Sequence, residues 1–190
     1  MSSRSADARD SQLNATFQEY NALYQLVIFR LNALDKRAPV TVAAFAAVLV
    51  SVQSLPISSQ LLVLLFLPPS LIWLMRTTVN HARSFEDALR RIEVLEQSVN
   101  LRLDAPIMGF QSQHPSRGRE VGGRTGRESV QAVLGSILLL LLAAGYQMHV
   151  TALLSGFPEW VYDAGLLVIA ALSIQQRVQL SSYRYRPVSG

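Results

Sequence analysis

The sequence predicts an all-α protein: four membrane-spanning helices, the first two prolonged by helices outside the bilayer. Three observations carry this reading. Half of the 190 residues are apolar and only 16% are charged, where an ordinary soluble domain carries about 25% charge. Residues 38–75 and 129–158 contain no Asp, Glu, Lys or Arg, and a further apolar run covers 160–176. The 17 Lys and Arg residues avoid two of the connecting loops altogether. The same composition excludes a disordered chain, which is poor in apolar residues. The absence of cysteine excludes disulfides, thiolate metal sites and a cysteine nucleophile.

Residues 1–37 carry nine charges and no apolar core of signal-peptide type, so the first span is expected to be a retained anchor. Within this segment Leu13, Phe17, Tyr20, Tyr24, Val27, Leu31 and Leu34 recur at alternating spacings of four and three. That is a heptad seam on an amphipathic helix. Asn14, Gln18, Asn21 and Gln25 leave its polar face mostly uncharged. This favours packing against protein over lying on a bilayer. The seam is therefore a candidate assembly surface.

Residues 38–75 form the first transmembrane hairpin, with spans over about 39–55 and 60–75. A span needs roughly 20 residues, and about 17 at the least. Ser54–Gln60, with Pro56 inside it, supplies the turn. Pro68 and Pro69 remove two backbone donors within the second span, which predicts a kink or break there. Buried helices of a soluble protein are the alternative, but four runs of this length with so little charge favour spans.

Residues 76–104 continue the second span without Gly or Pro. Glu86 precedes Arg90 by four and Asp87 precedes Arg91 by four, the favourable order for helix pairs. Phe85, Leu89, Ile92, Val99 and Leu103 line one face. The two helices that enter and leave the hairpin emerge side by side. Each can bury its stripe on the other, antiparallel, or on a neighbouring subunit.

Residues 105–128 read as a Gly/Arg-rich loop, with five of the ten glycines and Arg117, Arg119, Arg124 and Arg127. Residues 129–176 form the second hairpin, with spans over about 130–149 and 159–176, and 177–190 a short tail. The proposed outer loops, 54–60 and 149–162, contain no Lys or Arg. Five basic residues precede the first span, nine lie between the second and third, and three follow the fourth. The positive-inside rule then places both termini in the cytosol.

The motifs are few. Gly118 to Thr125 nearly fits a phosphate-binding loop, with Arg124 in place of lysine, but no buried strand precedes it. Nucleotide hydrolysis is not expected. The four arginines are instead a candidate anionic-ligand or lipid loop, since guanidinium forks and exposed amides suit phosphoryl oxygens. Arg76 and His81 match the spacing of a short HEPN-type ribonuclease signature, but two residues are easily matched by chance; Arg76 reads as a snorkelling anchor ending the second span, and catalysis is not expected. Glu159 and Asp163 open the fourth span beside Trp160 and Tyr162, which reads as an interfacial cap. Gln53, Ser136 and Gln147 are candidate polar residues of the spans, as is Asp163 at the edge. His114 stands without a second metal ligand, so neither a metal nor a cofactor is expected, and no catalytic constellation is seen.

The helix–span–span–helix arrangement of residues 10–104 resembles the small membrane effectors of bacterial antiphage systems, such as the SLATT group. The resemblance is architectural and covers half of the chain; the second hairpin departs from it. It implies an oligomeric, non-enzymatic protein of the bacterial inner membrane that disrupts the bilayer on a cytosolic signal. The partners expected are the lipid bilayer, further copies of the chain, and a cytosolic protein or phosphorylated ligand as trigger; nucleic-acid binding is not expected. The alternatives are a scaffold or assembly subunit of a larger complex, and a small channel or transporter.

Overall fold

The computed structural model describes residues 2–113, 121, 123–151 and 158–183, with side-chain surroundings from residue 11 onward except at 38 and 124. Every regular element among the described residues is an α-helix: α1 Ser2–Val52, α2 Ile57–Leu103, α3 Gly123–Thr151 and α4 Glu159–Ser181. The protein is thus all-α.

The amphipathic N-terminal segment and the first apolar segment are one continuous helix. α1 has 51 residues and passes through Pro39, a length of about 77 Å at 1.5 Å per residue. Pro39 cannot donate to the carbonyl four residues earlier. In the next turn Thr41 Oγ1 donates to the Arg37 carbonyl at 2.6 Å. α1 closes in a tight turn whose polar groups are satisfied locally. The amides of Ser54 and Leu55 bond back to Ser51 and Val52, and buried Gln60 donates to the Leu55 carbonyl at 2.8 Å.

α2 passes Pro68 and Pro69 as one continuous helix of 47 residues, so the chain does not break there. Pro68 has no N–H for the Leu64 carbonyl. That oxygen instead accepts the Tyr162 hydroxyl from α4 at 2.9 Å. The donor lost at Pro68 is thus replaced from a neighbouring helix.

α2 and α3 are central, each touching the other three helices, whereas α1 and α4 make no contact with each other among the described residues. α1 and α2 run antiparallel, as Glu19–Arg91 and Arg37–Thr77 show. α2 and α4 run parallel, as Tyr162–Leu64 and Tyr183–Asp87 show. Three apolar clusters follow one another along the bundle. Val52, Leu64 and Met148 pack beside the turn, Leu71, Met75, Ile137 and Ile169 in the middle, and Val27, Leu34, Phe85 and Ile92 in a two-helix stalk made by α1 and the second half of α2. A Cβ at Gly145 would lie 3.1 Å from the Leu166 side chain, so that glycine permits the close approach of α3 and α4.

α2, and α3 over Thr125–Thr151, are long and apolar enough to cross a membrane. Of the most apolar 18 residues of each, only 33% and 39% are buried within the protein, whereas a core helix of a soluble protein is mostly buried. Residues 123–128, read from sequence as part of the loop, are the first turns of α3.

The stalk's charges are arranged by tertiary contact as much as by helix spacing. Arg90 bonds Glu86 at 2.7 Å, as its spacing predicts, and reaches on to Glu93 at 3.0 Å. Arg91 does not take Asp87. It crosses to Glu19 of α1 at 2.7 Å, while Asp87 accepts the Tyr183 hydroxyl at 2.6 Å.

Candidate functional site

The most organised polar structure lies where α2 ends. Asp104 adopts a left-handed conformation, φ 49°, and its amide bonds the Asn100 carbonyl, ending the helix. The chain then folds back over the stalk as a strap, residues 105–113. Asn100 holds it like a strand partner: its Nδ2 donates to the Met108 carbonyl at 2.6 Å and its Oδ1 accepts the Met108 amide at 2.8 Å. Fully buried Glu96 accepts the amides of Gln111 at 3.0 Å and Ser112 at 2.8 Å. Its Oε1 also faces the Tyr20 hydroxyl at 3.4 Å. Burial, and then Glu96, raise the Tyr20 phenol above its usual range. The Phe110 ring meets Tyr24 edge-on at 5.5 Å. Sequence reasoning missed this clasp. Its one legible signal is the spacing of Glu96 and Asn100, one turn apart on α2 just before the loop.

The heptad seam therefore faces its own chain. Val27 and Leu34 are buried against α2, Tyr20 and Leu31 pack at the edge of that cluster, and Tyr24 lies under the strap. Leu13 is half-buried and Phe17 is 38% exposed at the free end.

The four loop arginines are not gathered into one described site. Arg117 and Arg119 lie outside the described residues, as does the Arg124 side chain, although its backbone opens α3. Arg127 is exposed on α3.

A second basic group forms where the stalk meets the apolar region. Arg37 Nη2 donates to Thr77 Oγ1 at 2.8 Å, and burial lowers its basicity. His81, one turn after Thr77, is held below the usual imidazole range by burial and then by the charges of Arg37 and Arg30. On the other side of α2 the Arg83 guanidinium lies 5.6 Å over the Tyr183 ring. The Tyr183 phenol is pushed up to about 12, chiefly by its hydrogen bond to Asp87 and also by burial.

The polar residues of the apolar region meet in two places. Gln53, just after α1, donates to Gln147 of α3 at 3.3 Å. His149 lies between Glu159 at 3.2 Å on Nδ1 and Asp163 at 3.1 Å on Nε2, joining the ends of α3 and α4. The two carboxylates occupy opposite ring nitrogens and so do not converge on one ion. Among the described residues no cluster of three ligands could hold a metal. Most hydroxyls here serve their own helix: Ser51, Ser70, Thr78, Ser136 and Ser173 each bond a carbonyl three or four residues back. Pro68 is buried and Pro69 exposed. Comparison of the chain with protein-family models, curated proteins and solved structures finds no match.

Proposed function

We propose that this is a four-span protein of the bacterial inner membrane with both termini in the cytosol, a non-enzymatic, self-associating effector that perturbs or permeabilises the bilayer when its stalk receives a cytosolic signal. One observation carries the membrane reading. In all four apolar segments large side chains face outward, among them Val50 at 77%, Phe66 at 69%, Leu142 at 71% and Leu167 at 71% exposure. An apolar belt that encircles a bundle is unstable in water and stable in lipid. The basic residues supply the orientation, since none lies in the two outer loops.

The stalk is the receiving part. Its acids and bases are cross-linked, and the strap leads directly from Glu96 into the Gly/Arg-rich segment. A phosphorylated ligand or a cytosolic protein that binds that segment pulls on the clasp. Because Val27 and Leu34 are used within the chain, self-association falls to the outward faces of the spans. Ala43 and Ala47 are exposed there, and Gly135 has open space beside it.

Reporter fusions at Ser58 and Gly156 should report the outside and a fusion after Gly190 the cytosol; a cytosolic signal at either loop refutes four spans. Purified protein in liposomes should release an entrapped dye. A scaffold or assembly subunit is the second reading, favoured by apolar side chains exposed on the stalk itself, Phe29 at 71% and Leu101 at 84%. Inert liposomes together with a stoichiometric co-purifying protein would select it. Dye retention with selective ion flux would instead indicate a small channel or transporter.

A further inference from the structure

We propose that Arg30, Arg37 and His81, in the groove where α1 and α2 leave the apolar region, bind a phosphoryl group such as the headgroup of an anionic phospholipid. Arg30 and Arg37 are seven residues apart, two turns along one face of α1. Between them Leu34, 1% exposed, is pressed into α2. Leu34 thus packs on α2 between the two positions that carry the guanidinium groups. Thr77 orients one of them. Its hydroxyl donates to the Leu74 carbonyl at 3.0 Å, which leaves its lone pairs for Arg37 at 2.8 Å. One edge of the guanidinium is fixed, and its remaining donors are free to fork onto an oxyanion.

The charge balance points to the ligand. Among the described residues no carboxylate pairs with Arg30, Arg37 or His81. The acids of the stalk are engaged further along: Glu86 and Glu93 by Arg90, Glu19 by Arg91, Asp87 by Tyr183 and Glu96 by the strap. Asp35, the nearest acid in sequence, is exposed. Arg30 and Arg37 are thus left without a carboxylate partner beside the apolar region. Arg30 and Arg37 are partly removed from water, with exposed His81 beside them, and like charges so placed are stabilised when an anion joins them. Arg37 immediately precedes the uncharged residues 38–75, and Thr77 follows them by two. That is the depth at which lipid phosphates lie if the four-span placement, on which this inference rests, holds.

The test uses full-length protein in neutral detergent, with bound lipid counted by native mass spectrometry. Phosphatidylglycerol should be retained about fivefold or more over phosphatidylcholine, and Arg30→Gln with Arg37→Gln should lower its apparent affinity about tenfold, equivalent to about 1.4 kcal/mol. Should that pair fail to fold by circular dichroism, Arg37→Lys with Thr77→Val keeps the charge but loses the oriented fork, and should still weaken binding several-fold. Inorganic phosphate added in excess separates the sources. No displacement identifies the lipid headgroup, and displacement identifies a free phosphoryl compound; either supports the site. Equal retention of the two lipids, or undiminished phosphatidylglycerol binding by a folded variant, overturns it. Release of the protein from membranes by alkaline carbonate would defeat the membrane placement alone, because the phosphate arm is read in detergent.

Discussion

The Tyr162 hydroxyl donates to the Leu64 carbonyl at 2.9 Å across the α2/α4 interface. Leu64 is four residues before Pro68, so its oxygen is the one that Pro68 leaves without a helical donor. Within an apolar surrounding no water replaces that donor, and an unsatisfied carbonyl costs more than it does at a wet surface. A proline on one helix and a tyrosine on another thus form one unit, and the unit fixes the register of α4 on α2.

This relationship is testable as a double-mutant cycle. Tyr162→Phe should destabilise the protein by about 1–2 kcal/mol, seen as a lower midpoint of thermal unfolding in detergent. With Pro68→Ala present the helix regains its own donor, and Tyr162→Phe should then cost much less. Equal losses in the two backgrounds would show that the tyrosine is not serving the proline.

Glu96 tests the clasp. Glu96→Ala removes the acceptor for the Gln111 and Ser112 amides, and charge-assisted bonds of this kind are worth about 1.5–3 kcal/mol each where buried. Hydrogen exchange at those two amides should accelerate, and protease should cut within 105–113 before it cuts the helices. Unchanged exchange would mean that Asn100 and Phe110 hold the strap without it.

The seam is tested by comparing its buried and free ends. Leu34→Ala leaves a cavity against α2 and should lower the unfolding midpoint, a loss of about 2–5 kcal/mol. Phe17→Asp, at a position already 38% exposed, should leave unfolding almost unchanged. Crosslinked oligomer that survives Leu34→Ala would place self-association outside the seam.

His81 gives a pH dependence of defined sign. Its folded-state affinity for protons is lowered, first by burial and then by Arg37 and Arg30, while the unfolded chain takes up its proton near the ordinary 6.5. Below that pH the unfolded state binds more protons, so stability in anion-free detergent should fall as pH drops and be fully present above it. His81→Gln should flatten this slope. Phosphatidylglycerol should reverse it, since a bound phosphate favours the imidazolium, and its apparent affinity should rise as pH falls.

How much of this was legible in the sequence varies with the range of the interaction. The 3.5-residue spacing from Leu13 to Leu34 marked one packing face on α1, because helix periodicity is local. It did not say whether that face met α2 or another subunit. Glu86 and Arg90 could be paired from their spacing, whereas Arg91 and Asp87 could not. Glu19 and Tyr183 compete for them from distant parts of the chain, and a cross-helix partner at 2.6–2.7 Å outweighs a flexible pair on one helix surface.

The sequence by itself determined that the chain is helical, where its apolar stretches lie, and which segments carry positive charge, since each of these depends on residue type and near-neighbour spacing. Only the tertiary structure decided that α2 continues through Pro68 and Pro69 and that Glu96 clasps the strap. The physical reason is common to both. A missing donor and a buried carboxylate are local deficits, and what meets each deficit comes from a residue that only packing brings within reach. Tyr162 is 98 positions from Leu64, and no spacing rule spans that distance.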